Sequence, residues 1–173
     1  MNTAYQNLIE RRSVKNFKSD PVPQELVDKI IKAGLNAPSA MNHQGTIVIQ
    51  IKDKNLRDEM SRDNAIIGTR NGDPFYNAPV VLLVLGDKSW VNRIYDGALV
   101  LGNMLNAAHS LGLGSCWIHR CREEFEMPKY QELLKKLGIS GEYEGIGHCV
   151  IGYPNVQPPT SHDLKEQVRV FSI

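Results

Sequence analysis

Apolar positions along the chain switch between a helical period and a strand period, and the switches mark out its elements. From about Thr3 to Glu10 the pattern is a short helix carrying Leu8 and Ile9, which stops in the basic run Arg11-Arg12-Ser13. Pro21 and Pro23 open a second segment. In it Leu26, Ile30 and Ala33, supported by Val27 and Ile31, recur at helical spacing until Asn36-Ala37-Pro38, which predicts a helix ending near Asn36. Thr46 to Ile51 is short and β-branched and reads as a strand. Asp53 follows as a cap for a small amphipathic helix containing Leu56 and Met60. Gly68 to Asn77 is polar and rich in turn formers.

The run Ala78-Pro79-Val80-Val81-Leu82-Leu83-Val84-Leu85 is apolar on both alternating faces, so it predicts a central strand covered on both sides, and hence helices layered over a sheet. From Trp90 to Leu111 the spacing is helical. Ile94, Ala98, Leu101, Leu105 and Ala108 form one stripe that Val91, Leu99 and Met104 widen, and such breadth predicts a largely buried helix. Gly112 and Gly114 suit its C-terminus, and Ser115 to Ile118 is extended again. Met127 to Leu137 forms a further helix stopped by Gly138, before a strand from Gly147 to Tyr153. Pro154, Pro158 and Pro159 then release the chain into an arm from about residue 154, where Val168, Val170 and Phe171 are apolar enough to dock on a partner subunit. With no repeat, low-complexity tract or flexible linker, residues 1–173 read as a single domain.

Composition narrows the classes. The 173 residues suit one domain of the usual ~100–200 residues. The 42% apolar and 23% charged content supports a packed core and argues against disorder. Twenty Lys and Arg against 19 Asp and Glu leave a net charge of +1, too little for dense phosphate binding along a nucleic acid. The stretch Val80 to Leu85 falls far short of the ~20 residues that span a bilayer, and the opening Met-Asn-Thr-Ala-Tyr has no apolar signal core. The expectation is a cytoplasmic protein with neither a nucleic acid nor a membrane as partner. Cys116, Cys121 and Cys149 form no C-x-x-C pair, which fits reduced thiols. Cys116, His119 and Cys121 lie close together, but a tetrahedral ion needs a second ligand cluster that the sequence does not offer, so no metal is expected.

Two apparent motifs fail on geometry. Gly112-x-Gly114 sits between a helix and a strand, whereas a dinucleotide phosphate loop needs the order strand then helix. Cys149 beside His148 suggests a nucleophile and base, but neighbours in a strand point to opposite faces, and a buried structural cysteine is the better reading. Three polar loops are more informative. Arg11-Arg12-Ser13-Val14-Lys15-Asn16-Phe17 places three cations and a hydroxyl within five residues, which suits a phosphate and an electron-rich atom of one ligand, and equally suits a solvated charged loop. Ala37-Pro38-Ser39-Ala40-Met41-Asn42-His43-Gln44 is a helix-terminating turn rich in amides and hydroxyls. Gly114-Ser115-Cys116-Trp117-Ile118-His119-Arg120 is a strand running out into two polar residues.

In this order the three loops resemble the nitroreductase family of flavin enzymes, whose hallmarks are R-R-S-x-R/K-x-F, A-P-S-x-x-N-x-Q and G-x-x-S/T-C-W-I. Asn77-Ala78-Pro79 and Gly152-Tyr153-Pro154 extend the resemblance over nearly the whole chain. It implies an α+β fold with a central mixed sheet flanked by helices, assembled as an intertwined homodimer with two FMN molecules at the subunit interface. By position, Arg11 and Ser13 would grip the FMN phosphate, with Arg12 a further member of the cofactor-binding set, and Lys15 would reach the ribityl chain and the N1/O2 edge of the ring. Pro38, Ser39, Met41, Asn42 and Gln44 would come from the other subunit. Trp117, Ile118, His119 and Arg120 would pass along the flavin with the backbone N–H near His119 close to N5, and Asn71 would address the pyrimidine edge. The implied activity takes hydride from NADH or NADPH and delivers it, by a ping-pong mechanism, to a nitroaromatic, quinone or similar conjugated acceptor. Because the flavin carries the chemistry, no catalytic side chain is needed. Other readings are a flavin-binding protein without turnover, dehalogenation, and fragmentation of the flavin.

The chain departs from the family pattern in three places. Gln44 is followed by Gly45 and Thr46 where Pro-Trp is common. His119-Arg120 replaces smaller residues after C-W-I. Downstream of Gly152-Tyr153-Pro154 no Lys or Arg occurs until Lys165, so the basic pair that completes the family's phosphate clamp is missing, and Arg120 is a candidate to replace it.

Overall fold

The computed structural model describes residues 3–159. The elements follow in the order α1 (Thr3–Glu10), α2 (Gln24–Leu35), a short 3-10 turn (Ala40–Asn42), β1 (Thr46–Ile51), α3 (Lys54–Ile67), β2 (Val80–Asp87), α4 (Arg93–Ser110), β3 (Gly114–Ile118), α5 (Cys121–Phe125), α6 (Pro128–Lys136) and β4 (Tyr143–Gly152). The boundaries fall where local chemistry puts them. Asp53 caps α3 by accepting from the Asn55 and Leu56 amides at 2.7 and 3.0 Å. Gly112 turns the chain out of α4 at φ +76°, while Gly114 already belongs to β3. The last strand begins at Tyr143, earlier than the expected Gly147, and the five-residue α5 was not anticipated.

The four strands among the described residues lie in the order β1-β2-β4-β3, with every neighbouring pair antiparallel. The α+β class therefore stands, while the expected mixing of strand directions is absent from these four described strands. Among the described residues, parallel pairing is confined to the bridge between Ser13 and Ser115. The reason is topological, since each neighbouring pair, including β1 with β2 and β3 with β4, runs in opposite directions across its connection.

Strand alternation splits the core into two layers. Val80, Leu82 and Val84 face Leu101, Met104, Cys149 and Ile151 under α2 and α4. Val81, Leu83 and Leu85 face Phe75, Phe125, Tyr130, Leu134 and Val150 on the other side. β2 is thus covered on both faces, as its uninterrupted apolar run requires. His148 and Cys149 obey the same alternation. His148 meets the Phe75 ring on the α5 side, with centroids 4.9 Å apart, and Cys149 belongs to the opposite layer.

The long helix corrects another expectation. Leu101, Met104 and Ala108 of α4 are fully buried, but Ile94, Tyr95 and Leu99, with Val91 just before the helix, are exposed in the single chain. The sheet accepts only one side of α4, so the rest of its wide apolar stripe stays exposed among the described residues. Beyond β4, Tyr153 to Asn155 pairs with the segment Asn16 to Lys18, through Lys18 N–H to the Tyr153 carbonyl (2.9 Å) and Asn155 N–H to the Asn16 carbonyl (3.0 Å). Val168, Val170 and Phe171 of the expected arm, and Lys165, lie outside the described residues.

α5 seats tightly on β4 at Gly145, where a Cβ would stand 2.1 Å from the Cys121 carbonyl oxygen. Because the obstacle is main chain, relief requires moving the whole helix. Gly145→Ala is expected to lower stability by about 1–3 kcal/mol in urea unfolding. A variant as stable as the wild type would contradict this close approach.

Candidate active site

The first cationic loop is built onto the third. The Ser13–Ser115 bridge lays residues 13–15 alongside β3, with the Val14 N–H donating to the Ser115 carbonyl at 3.0 Å. Val14 is buried against Gly114, where any Cβ would come within 2.7 Å of the valine side chain. Because the segment is extended, burying Val14 turns its neighbours Ser13 and Lys15 outward, and both are exposed. The result is a cationic edge along the outer strand.

The cations of this loop have different surroundings. Arg12 donates from Nη1 to the Ile9 and Arg11 carbonyls, each at 2.8 Å, so it closes the C-terminal end of α1. Arg11 Nη1 is buried and has no hydrogen-bond partner. Cys116 lies close enough to feel the group. Burial raises its thiol pKa, against opposing effects of the Ser13 hydroxyl hydrogen bond and the Lys15 and Arg11 charges.

Beside this edge lies a cavity of about 230 Å³, lined by Lys15, Cys116, Trp117, Ile118, His119 and Arg120, and on its far wall by Asn64, Gly68, Arg70 and Tyr76. Trp117 is 38% exposed, while the Ile118 side chain packs in the core. The chain leaves β3 through Arg120 in the left-handed region at φ 75°, and Tyr76 opposite stands at φ 55°. Such conformations cost ~1–3 kcal/mol each and persist only where their surroundings hold them. Asn64 does so for the β3 exit. Its side-chain amide donates to the His119 carbonyl at 2.8 Å and to Glu124 Oε1 at 2.9 Å. Asp73 does so for the loop carrying Arg70 and Tyr76. It accepts from Ser61 (2.6 Å), the Phe75 amide (2.8 Å), the Asn77 amide (2.6 Å) and Arg57.

Asn71 is not brought to this cavity. It lines a separate open hollow with Arg57, Ser61 and Asp73, whereas its neighbour Arg70 lines both that hollow and the cavity. The second loop is elsewhere too. Pro38, Ser39, Met41, Asn42 and Gln44 precede β1, on the opposite edge of the sheet from β3, three strand spacings or about 14 Å away. The loop is well defined there: Ser39 Oγ accepts from the Gln44 amide at 3.0 Å, the Gln44 side chain donates to Asn42 Oδ1 at 2.7 Å, and the Ala40 amide donates to Asp96 at 3.0 Å. Met41, Asn42 and Gln44 all have positive φ, and Met41 is 91% exposed. His43 stacks on Trp90 with centroids 4.2 Å apart, giving this loop an aromatic wall where the usual Pro-Trp is missing.

Asn64, Gly68, Arg70 and Tyr76 were missed by the sequence reading. For Arg70 the signal was a basic residue in the same polar turn as Asn71. For Asn64 it was a polar residue on the inner face of α3, where it is 3% exposed.

Comparison with known proteins places this arrangement. The profile of the nitroreductase family matches residues 8–68 and 60–153. The FMN reductase [NAD(P)H] of Bacillus subtilis is 31% identical over 177 residues, covering 89% of this chain and 67% of that protein. A nitroreductase with bound FMN from Desulfitobacterium hafniense superposes with a TM-score of 0.85 at 26% identity, covering 99% of this chain and all of the other. A second FMN-bound structure, from Bacteroides fragilis, gives 0.86 at 20% identity and shows the shared fold. With the family profile matching most of its length and a relative 31% identical over two thirds of that protein, this chain belongs to the nitroreductase family.

Burial acts to raise the Asp73 pKa, but the bonds from Ser61, Arg57 and the Asn77 and Phe75 amides outweigh it and hold the carboxyl below its ordinary value. Its contribution to stability is therefore complete above the unfolded-chain pKa of about 3.9 and is lost as pH falls through the lower folded value. Asp73→Ala is expected to cost about 1.5–3 kcal/mol at pH 7 and to flatten the acid limb of the stability profile below pH ~4. Urea unfolding across pH checks both, and an unchanged acid limb would contradict the assignment.

Proposed function

We propose that this chain is an FMN-dependent NAD(P)H oxidoreductase, passing hydride from NADH or NADPH through flavin N5 to a nitroaromatic, quinone or similar conjugated acceptor by a ping-pong mechanism. The observation that carries the reading is Arg11 Nη1, a buried guanidinium donor without a hydrogen-bond partner, in the same loop as Lys15, which lines the cavity with Trp117. A buried cationic donor left unpaired is costly, and a phosphate oxygen satisfies it with a charge-assisted bond. No other hydrogen-bond partner for that nitrogen exists among the described residues.

The other groups fit the rest of the same cofactor. Ser13 adds a hydroxyl beside the phosphate, and Lys15, with Arg70 across the cavity in the place expected for Asn71, gives the wall the positive charge that favours a reduced, anionic ring. Arg12 supports the loop by tying it to α1. Asn64 holds the His119 carbonyl, so the main chain from Ile118 to Arg120 presents its amides in a fixed direction. Bound FMN supplies the hydride chemistry, and the three cysteines, all buried, are not needed as nucleophiles.

The reading includes a homodimer. A cavity of about 230 Å³ is smaller than the ~300–1,000 Å³ usual for ligand pockets, and the second loop cannot reach it within one chain. A second copy could bring Pro38 to Gln44 to this edge. The exposed Ile94, Tyr95 and Leu99 of α4, with a groove of about 780 Å³ between α1 and α4, offer the apolar surface for such an association.

Arg11 and Lys15 are expected to fail differently. Arg11→Ala removes a contact of about 1.5–3 kcal/mol and should weaken FMN binding roughly 10- to 150-fold, with the bound flavin's potential nearly unchanged. Lys15→Ala should lower that potential and slow reduction by NAD(P)H even with FMN saturating, because the lost charge favours the reduced ring more than the oxidised one. FMN titration and anaerobic potentiometry separate the two. Failure of the wild type to bind FMN, or exchanged roles for the two residues, would overturn the proposed placement.

A further inference from the structure

Behind the β3 exit, three side chains of different chemistry meet where no solvent reaches. Cys121 and Glu124 are three residues apart on α5 and so share one face of it. His148 projects from the middle of β4, against which α5 packs. All three are 0% exposed. The Cys121 sulfur, a Glu124 carboxylate oxygen and a His148 ring nitrogen lie within 4.8 Å of one another.

Their orientation is the informative feature. His148 Nε2 stands 2.9 Å from Glu124 Oε2, yet neither atom has a hydrogen-bond partner, and His148 Nδ1 has none either. The two atoms stand within ion-pair range but outside hydrogen-bond geometry, so both, together with Nδ1, are left without a hydrogen bond. Left empty, each unpaired buried group costs ~1–3 kcal/mol. No lysine or arginine among the described residues pairs with Glu124, whose other oxygen is held by Asn64.

We propose that Cys121, Glu124 and His148 bind a zinc ion in a closed site, with a water completing the tetrahedron. Thiolate, imidazole and carboxylate are all zinc ligands, and small side-chain adjustments bring them to the usual ~2.0–2.3 Å. A sulfur donor disfavours magnesium and calcium, which take oxygen. Charge also balances: one thiolate and one carboxylate cancel the two positive charges of the ion, so the buried cluster is neutral. Binding releases the Cys121 proton to solvent. In the metal-free chain, burial and then the Glu124 charge hold that thiol well above its ordinary pKa, and the ion reverses this. The outer partners are in place, since Gly147 N–H donates to the Cys121 sulfur and Asn64 joins Glu124 to the His119 carbonyl. The ion would clasp α5 to β4 and brace the turn from Ile118 to Arg120.

The trio differs from the one considered in the sequence. Cys121 is shared, but Cys116 and His119 are replaced by Glu124 and by a histidine 27 positions beyond Cys121, which only the pairing of β3 with β4 brings near.

The test is elemental analysis and zinc K-edge X-ray absorption on the full chain, as purified and after refolding with excess Zn²⁺. Stoichiometric zinc with one sulfur among lighter ligands is expected, independently of whether flavin is bound. Cys121→Ser and Glu124→Gln should each lower zinc affinity by at least about 100-fold, because even outer partners are worth ~10–100-fold. A wild-type chain that takes up no zinc under both conditions, zinc without a sulfur ligand, or undiminished affinity in either folded variant would overturn the proposal. The wild-type measurements decide the matter if a variant fails to fold.

Discussion

The seating of Val14 against Gly114 is the contact on which the candidate site depends. It lays an otherwise solvated loop along an edge strand, and the alternation of an extended segment then turns Ser13 and Lys15 outward. The contact is apolar and main-chain in character, while everything it positions is polar. Arg12 adds to it by tying the loop to α1, while Arg11 Nη1 is buried without a hydrogen-bond partner. The opposite wall follows the same logic, because Asp73 and Asn64 hold strained backbone at Tyr76 and Arg120 through bonds to the main chain.

Strand order then limits what one chain can assemble. With β1 and β3 on opposite edges, the loop before β1 and the loop after β3 are kept apart by the whole width of the sheet. Both are polar, both carry left-handed non-glycine residues, and neither finds the other. Two half-sites of this kind, together with the uncovered stripe of α4, are the physical argument for association through a two-fold axis, which pairs each half with its complement twice.

Much of this was legible in the sequence. Period changes located the helices and strands, Asp53 announced its cap, and the apolar run from Val80 was central as its two-faced pattern required. The three loops were found because each combines chemistry with a break in periodicity. What stayed hidden depends on tertiary proximity. Arg70 and Asn64 reach the cavity through the packing of α3 and the fold of the Asp73 turn, which no spacing encodes. The breadth of the α4 stripe was real, but burial was inferred where Val91, Ile94 and Leu99 are exposed among the described residues. The grouping of Cys121 and His148 with Glu124 escaped notice because Cys121 and Glu124 lie on a helix too short to announce itself and His148 arrives by strand pairing. The sheet looked mixed by family likeness, whereas its four described strands are antiparallel.

The central claim is that one site is divided between two chains, and subunit mixing tests it directly. One chain would carry Arg11→Ala with Lys15→Ala, the other Ser39→Ala with Asn42→Ala, each alone binding FMN poorly. In a mixed dimer the intact first loop of one chain faces the intact second loop of the other, so one of the two sites is restored and flavin binding should recover to about half of the wild-type stoichiometry, as expected for paired half-sites. Mixed dimers that bind no more FMN than either parent would contradict the account.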